Sequence, residues 1–131
     1  MESLFTLEHI GLASQNPVAL KDWYLERLGA TLVFEMRQTP PAFLINLGGM
    51  MIEIYSANDR SDVVQNNRLA GWRHLALKVT SIESVRDHLA TKGIVFSEDI
   101  KSAGGGWRVL FFNDLEGNLL HLTERLPNGF Q

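Results

Sequence analysis

The chain has 131 residues, 45% hydrophobic and 21% charged, with a formal net charge of −3, which describes one ordinary globular domain able to bury roughly two thirds of its unfolded surface. That charge gives no polycationic surface and excludes a nucleic-acid or anionic-lipid role; the absence of cysteine excludes disulfides, thiolate zinc sites and cysteine nucleophiles, so any metal must be held by nitrogen and oxygen. No apolar run approaches the ~20 residues of a membrane span and no basic region precedes an apolar one at the start, so the expectation is a cytoplasmic protein with no membrane partner.

Residues 4–13 read as a strand, with Phe5, Leu7, His9 and Gly11 on one face and Leu4, Thr6, Glu8, Ile10 and Leu12 on the other. Asn16-Pro17 then starts a helix, since Asn caps free amides and Pro fits the first helical position. Leu20, Trp23, Tyr24 and Leu28 form its apolar stripe, and Gly29 suits the left-handed residue that closes it. Residues 31–38 and 42–47 are β-forming runs separated by Pro40-Pro41. Gly48-Gly49 supplies a hairpin turn into a further strand, 50–55, on which Met51, Glu53 and Tyr55 share a face. Glu53 stands among Met50, Met51, Ile52 and Ile54, a setting in which a carboxylate needs a cation or hydrogen-bond donors.

Residues 56–69 are polar and read as a surface connection, after which the pattern repeats. Strand 72–79 is followed by a Thr80-x-x-Glu83 capping box, a helix through Ile82, Val85 and Leu89 ending near Gly93, and strands near 94–100, 107–113 and 118–123. Asp114 to Asn118 forms the last turn, and Leu119, His121 and Thr123 share a face of the final strand. His88 is expected to be solvated on its helix, and Gly104 to Gly106 to form a hairpin loop. Arg73 and Arg108 are candidates for binding an anionic substrate or for facing solvent.

Leu-Glu-His9-Ile-Gly-Leu and Trp-Arg-His74-Leu-Ala-Leu occupy the same place in the two halves. His9 and His74 lie 65 residues apart, Glu53 and His121 lie 68 apart, and the near-equal offsets bring both pairs into register. A pseudo-twofold relating the halves would turn His9, Glu53, His74 and His121 toward a common axis. Three imidazoles and a carboxylate suit a divalent first-row ion, with Zn, Fe, Ni, Co and Mn all open.

This layout resembles the vicinal oxygen chelate superfamily, which includes glyoxalase I, extradiol dioxygenases, methylmalonyl-CoA epimerase and the fosfomycin and bleomycin resistance proteins. The resemblance spans essentially the whole chain: the two histidine strands, the helix from Trp23-Tyr24 to Leu28-Gly29, Met-Ile-Glu53-Ile, and Phe111 to His121 with its Asp-Leu-Glu-Gly-Asn turn. It implies an α+β domain over residues 1–131, built from two βαβββ modules, 1–57 and 70–126, related by a pseudo-twofold and forming a curved half-barrel cleft, commonly in a homodimer. It implies metal ligands at His9, Glu53 and His74. Seven residues after Asp114, where the family usually has Glu, this chain has His121, and Glu124 falls on the opposite face.

Three functions follow as expectations. The first is a metal-dependent, glyoxalase-like lyase or isomerase acting on a small oxygenated molecule through a metal-stabilised enediolate, with Glu53 or His121 carrying the proton. The second is a non-haem Fe(II) dioxygenase using His9, His74 and Glu53. The third is a metal-free resistance-type protein that holds its ligand among Tyr55, Trp72, Trp107 and Phe43.

Overall fold

The computed structural model describes residues 3–61 and 64–125, and the chain divides into two compact units, Met1–Arg60 and Ser61–Gln131. Part of the connecting stretch, residues 62 and 63, and the last residue of the expected second module, 126, lie outside the described residues. Each unit has the strand-helix-three-strand order that the repeat predicts.

In the first unit the order is β1 (Ile10–Ser14), α1 (Pro17–Leu28), β2 (Thr31–Met36), β3 (Ala42–Leu47) and β4 (Met50–Ser56). The sheet runs β1-β4-β3-β2, with β1 parallel to β4 and the other pairs antiparallel. Asn16 caps α1 by accepting from the Ala19 amide at 3.1 Å, Pro17 is its first residue, and Gly29 closes it at φ 72°. The β3–β4 turn places Gly48 and Gly49 at φ 59° and 93°, and the Asn46 side chain accepts from the Gly49 amide at 3.0 Å. The core is the sheet face that α1 covers, where Ile45, Ile52 and Ile54 are buried together with Leu20 and Tyr24 of the helix.

The first strand is shorter than expected. Residues 3–9 carry no ladder, and Leu4, Phe5 and Leu7 are exposed. The cause lies in the partner: Ile10 pairs with Ile52 and β4 begins only at Met50, so the residues before Glu8 would face the Gly48-Gly49 turn rather than another strand.

In the second unit the order is β5 (His74–Lys78), α2 (Ile82–Thr91), β6 (Lys101–Ser102), β7 (Trp107–Asn113) and β8 (Leu119–Arg125), with the sheet running β5-β8-β7-β6. Leu77, Leu122 and Leu110 form one row across three strands, on the face that also carries Leu120 and Glu124. The strand expected at 94–100 is absent; only Lys101 and Ser102 pair with β7. The Gly104–Gly106 stretch is the β6–β7 hairpin loop, closed by the Trp107 amide donating to the Gly104 carbonyl at 2.9 Å. The last turn is pinned by the Asp114 carboxylate, which accepts from the amides of Glu116 and Asn118 at 2.9 and 3.0 Å.

The α2 cap also departs from expectation. Ser81 rather than Thr80 is the cap, accepting from the Ser84 amide, and Glu83 does not close the expected box with Thr80. Its carboxylate instead takes both terminal nitrogens of Arg108, at 2.6 and 2.8 Å. Arg108 also binds Glu124, whose second oxygen accepts from the Ile82 amide at 2.8 Å. Arg108 is thereby committed to a structural ion network, which corrects its candidacy as an anion-binding residue. The hydrogen bonds from Arg108 hold the Glu83 carboxyl down to about 2 from an ordinary 4.5; the Ile82 amide and then Arg108 lower Glu124 as well. A carboxyl depressed on folding adds stability above its unfolded pKa that is lost as the folded pKa is approached. Stability is therefore expected to fall between pH 4.5 and about 2, and Arg108→Ala to flatten that limb in acid denaturation followed by circular dichroism. High salt is expected to do part of the same, since Glu83 is half exposed.

Candidate functional site

The parallel pairs β1·β4 and β5·β8 place the four predicted donors. In the first unit Gly11 pairs with Glu53 and Leu44 flanks Glu53 on the other side, so Glu53 stands mid-strand on the face turned away from α1. His9 lies two residues before Gly11 on that same face, and its Nε2 is 3.7 Å from Glu53 Oε1. In the second unit Ala76 pairs with His121 and Phe111 flanks it. His74 lies two residues before Ala76, and the His74 and His121 rings meet at 4.7 Å between centroids. The same diagonal, two residues upstream on the first strand against the centre of the last, recurs in both units. The structure thus brings His9 to Glu53 and His74 to His121. Among the described residues no group of three or more His, Cys, Asp or Glu side chains comes together in a way that would hold a metal ion; the donors are met as pairs.

Each imidazole keeps Nδ1 against an oxygen. His74 Nδ1 lies 2.7 Å from Asn67 Oδ1, His121 Nδ1 lies 3.1 Å from the Leu122 carbonyl, and His9 Nδ1 lies 3.4 Å from Glu8 Oε1. In chemistry these donors fit a borderline-to-hard divalent cation, and within each unit they supply half of a four-coordinate set. His121 is 4% exposed, and burial lowers its pKa below the ordinary 6.5 against the opposing pull of the Leu122 carbonyl. A buried imidazole of this kind keeps its lone pair at neutral pH.

The aromatic residues sort differently from expectation. Tyr55 shares the Glu53 face, and its ring lies over Gly11, where an added Cβ would approach Tyr55 Cε1 to 3.1 Å. Trp107 is on the His121 face, donating through Nε1 to Thr123 Oγ1 and covered by the Arg125 guanidinium at 4.2 Å. Trp72 is 98% exposed, just ahead of β5. Phe43 is 2% exposed and lies on the opposite face from Glu53, under Lys21 of α1. It pairs with Ile54, not with Glu53, so it is a core residue and not a site residue.

Two contributors escape sequence reasoning. Asn67 is one, because it reaches His74 from an irregular connection with no periodicity to mark it. Phe111 is the other: it packs on His121 at 4.6 Å and on His74 at 5.8 Å, a position that follows once the β7–β8 turn fixes the register. Arg73 donates to the Asn66 carbonyl at 3.1 Å. His88 is exposed on α2, as expected.

Residues 6–122 match the Glyoxalase/Bleomycin resistance protein/Dioxygenase superfamily, and the chain belongs to that family. It is 28% identical over 126 residues to the uncharacterized protein YwkD of Bacillus subtilis (strain 168), covering 93% of this chain and 98% of that one. Among solved structures it is similar to a glyoxylase/bleomycin resistance protein/dioxygenase domain from Frankia sp. EAN1pec, at 20% identity and TM-score 0.75 with 96% of each chain covered. It is also similar to the fosfomycin resistance protein FosX of Listeria monocytogenes, solved in complex with Mn(II) and sulfate, at 14% identity and TM-score 0.71 over 97% of this chain and 95% of that one. These likenesses establish the two-module α+β fold. No helix among the described residues is long and apolar enough to cross a membrane.

Proposed function

We propose that the chain is a metal-dependent, glyoxalase-like lyase or isomerase acting on a small oxygenated molecule, with His9 and Glu53 in the first unit and His74 and His121 in the second as donor pairs for a divalent ion, Zn, Ni, Fe, Co or Mn. The observation that carries this reading is the repeated diagonal, which sets His9 against Glu53 and His74 against His121 in the same strand register. FosX, described with Mn(II), supports metal use in the family.

A bound divalent ion supplies Lewis acidity that stabilises negative charge on substrate oxygens when a C–H proton leaves. The chain's own part is the proton. Glu53, with its side chain one third exposed, is accessible enough to accept and return one. His121, kept neutral by burial, is the second candidate carrier. Tyr55, Trp107 and Trp72 supply the aromatic surface for the substrate. The reading carries with it a cytoplasmic homodimer, and the exposed Leu4, Phe5 and Phe34 support association with a second copy.

Elemental analysis of protein purified without chelator or His-tag is expected to find a first-row divalent ion. Iron together with catechol-dependent oxygen uptake would replace this reading with the dioxygenase. Metal-free protein that binds a small ligand tightly would replace it with a sequestering protein.

A further inference from the structure

We propose that Asn67 is a positioning residue whose side-chain carbonyl fixes the tautomer and aim of His74, leaving Nε2 as the nitrogen presented for ligation. This rests on the reading of His74 as a metal donor and names the group that prepares it.

The contact itself dictates the proton. Asn67 Oδ1 lies 2.7 Å from His74 Nδ1, and an amide oxygen only accepts, so Nδ1 must donate. A neutral imidazole with its proton on Nδ1 carries its lone pair on Nε2. The ring also makes T-shaped contacts with His121, at 4.7 Å and 65°, and with Phe111, at 5.8 Å and 85°. T-shaped contacts alone leave a ring able to turn over and exchange its nitrogens; the hydrogen bond at Nδ1 removes that freedom.

The chain beside Asn67 is held through Asn66. Arg73 donates to the Asn66 carbonyl at 3.1 Å, and Asn66 Oδ1 accepts from the Arg68 amide at 3.0 Å. Gln65 packs on the β7–β8 turn so closely that a Cβ on Gly117 would sit 2.8 Å from its Nε2. The carbonyl is therefore delivered by an anchored stretch of chain. Nδ1 of His121 and of His9 likewise lies against an oxygen, the Leu122 carbonyl at 3.1 Å and Glu8 Oε1 at 3.4 Å. Fixing a ligand's tautomer through its second nitrogen is a general way of raising metal affinity.

The experiment is a two-bond proton–nitrogen correlation on 15N-histidine-labelled, metal-stripped protein at about pH 8, where an ordinary imidazole is neutral, with Zn2+ titrated in a parallel calorimetric series. Wild type is expected to show His74 protonated on Nδ1. Asn67→Ala is expected to shift it toward the Nε2-protonated form and to weaken Zn2+ binding about 10- to 100-fold. Asn67→Asp keeps an oxygen acceptor in place and is expected to retain the wild-type tautomer. His74 protonated on Nε2 in wild type, or an unchanged tautomer in Asn67→Ala, would overturn the inference. If wild type shows the expected tautomer but binds neither Zn2+ nor Mn2+, the metal reading fails while the hold of Asn67 on the ring stands.

Discussion

Glu53→Gln is expected to weaken Zn2+ and Mn2+ binding by more than about 100-fold, beyond the range found for outer-shell partners, while the chain folds as before. The two halves of this expectation have separate causes. Gln keeps the volume and the carbonyl oxygen of Glu, so the row Gly11–Glu53–Leu44 repacks without a cavity. It loses the anionic oxygen that a hard or borderline cation prefers. Stability is expected to stay level, because the Glu53 side chain is one third exposed and its contact with His9 Nε2 is 3.7 Å long, a partly solvated pairing of little worth. Calorimetric titration paired with thermal unfolding reads both at once. Unchanged metal affinity would remove Glu53 from the donor set.

The strand register was largely open to reading from the residues. A two-residue Gly48-Gly49 turn forces Leu47 opposite Met50, and the pairing of Leu44 with Glu53 follows by counting. The same count places Phe43 on the other face, so its exclusion from the site was accessible to that argument. The doubled offset likewise anticipated that Glu53 and His121 occupy equivalent positions, and the pairings Gly11–Glu53 and Ala76–His121 carry it into the structure. Other features were not legible because their causes are remote in sequence. Where the first strand begins depends on where β4 begins, some forty residues later. Glu83 has the spacing of a capping box, but a bidentate guanidinium on β7 is a stronger partner than a single backbone amide. Asn67 acts from an irregular segment, where no alternation of side chains marks a facing direction.

Leu122→Ala tests whether fold and chemistry are as separable as the register makes them. Leu122 is 1% exposed in the central strand of the second sheet, between Leu77 and Leu110, and it points away from the face that carries His121. Truncation removes buried methyl groups from a row that three strands hold in place, so little collapse can fill the space. A loss of about 2–5 kcal/mol is expected, read as a lower denaturation midpoint in urea with an unchanged slope. Because adjacent residues of a strand serve opposite faces, the His74–His121 pair is expected to keep its geometry in the surviving folded population. Zn2+ affinity measured well below the unfolding transition is therefore expected to stay near wild type. A variant that lost metal binding in step with stability would show that the donor face is shaped by the core beneath it. The division of labour between neighbouring residues of β8 would then give way to a single packed unit.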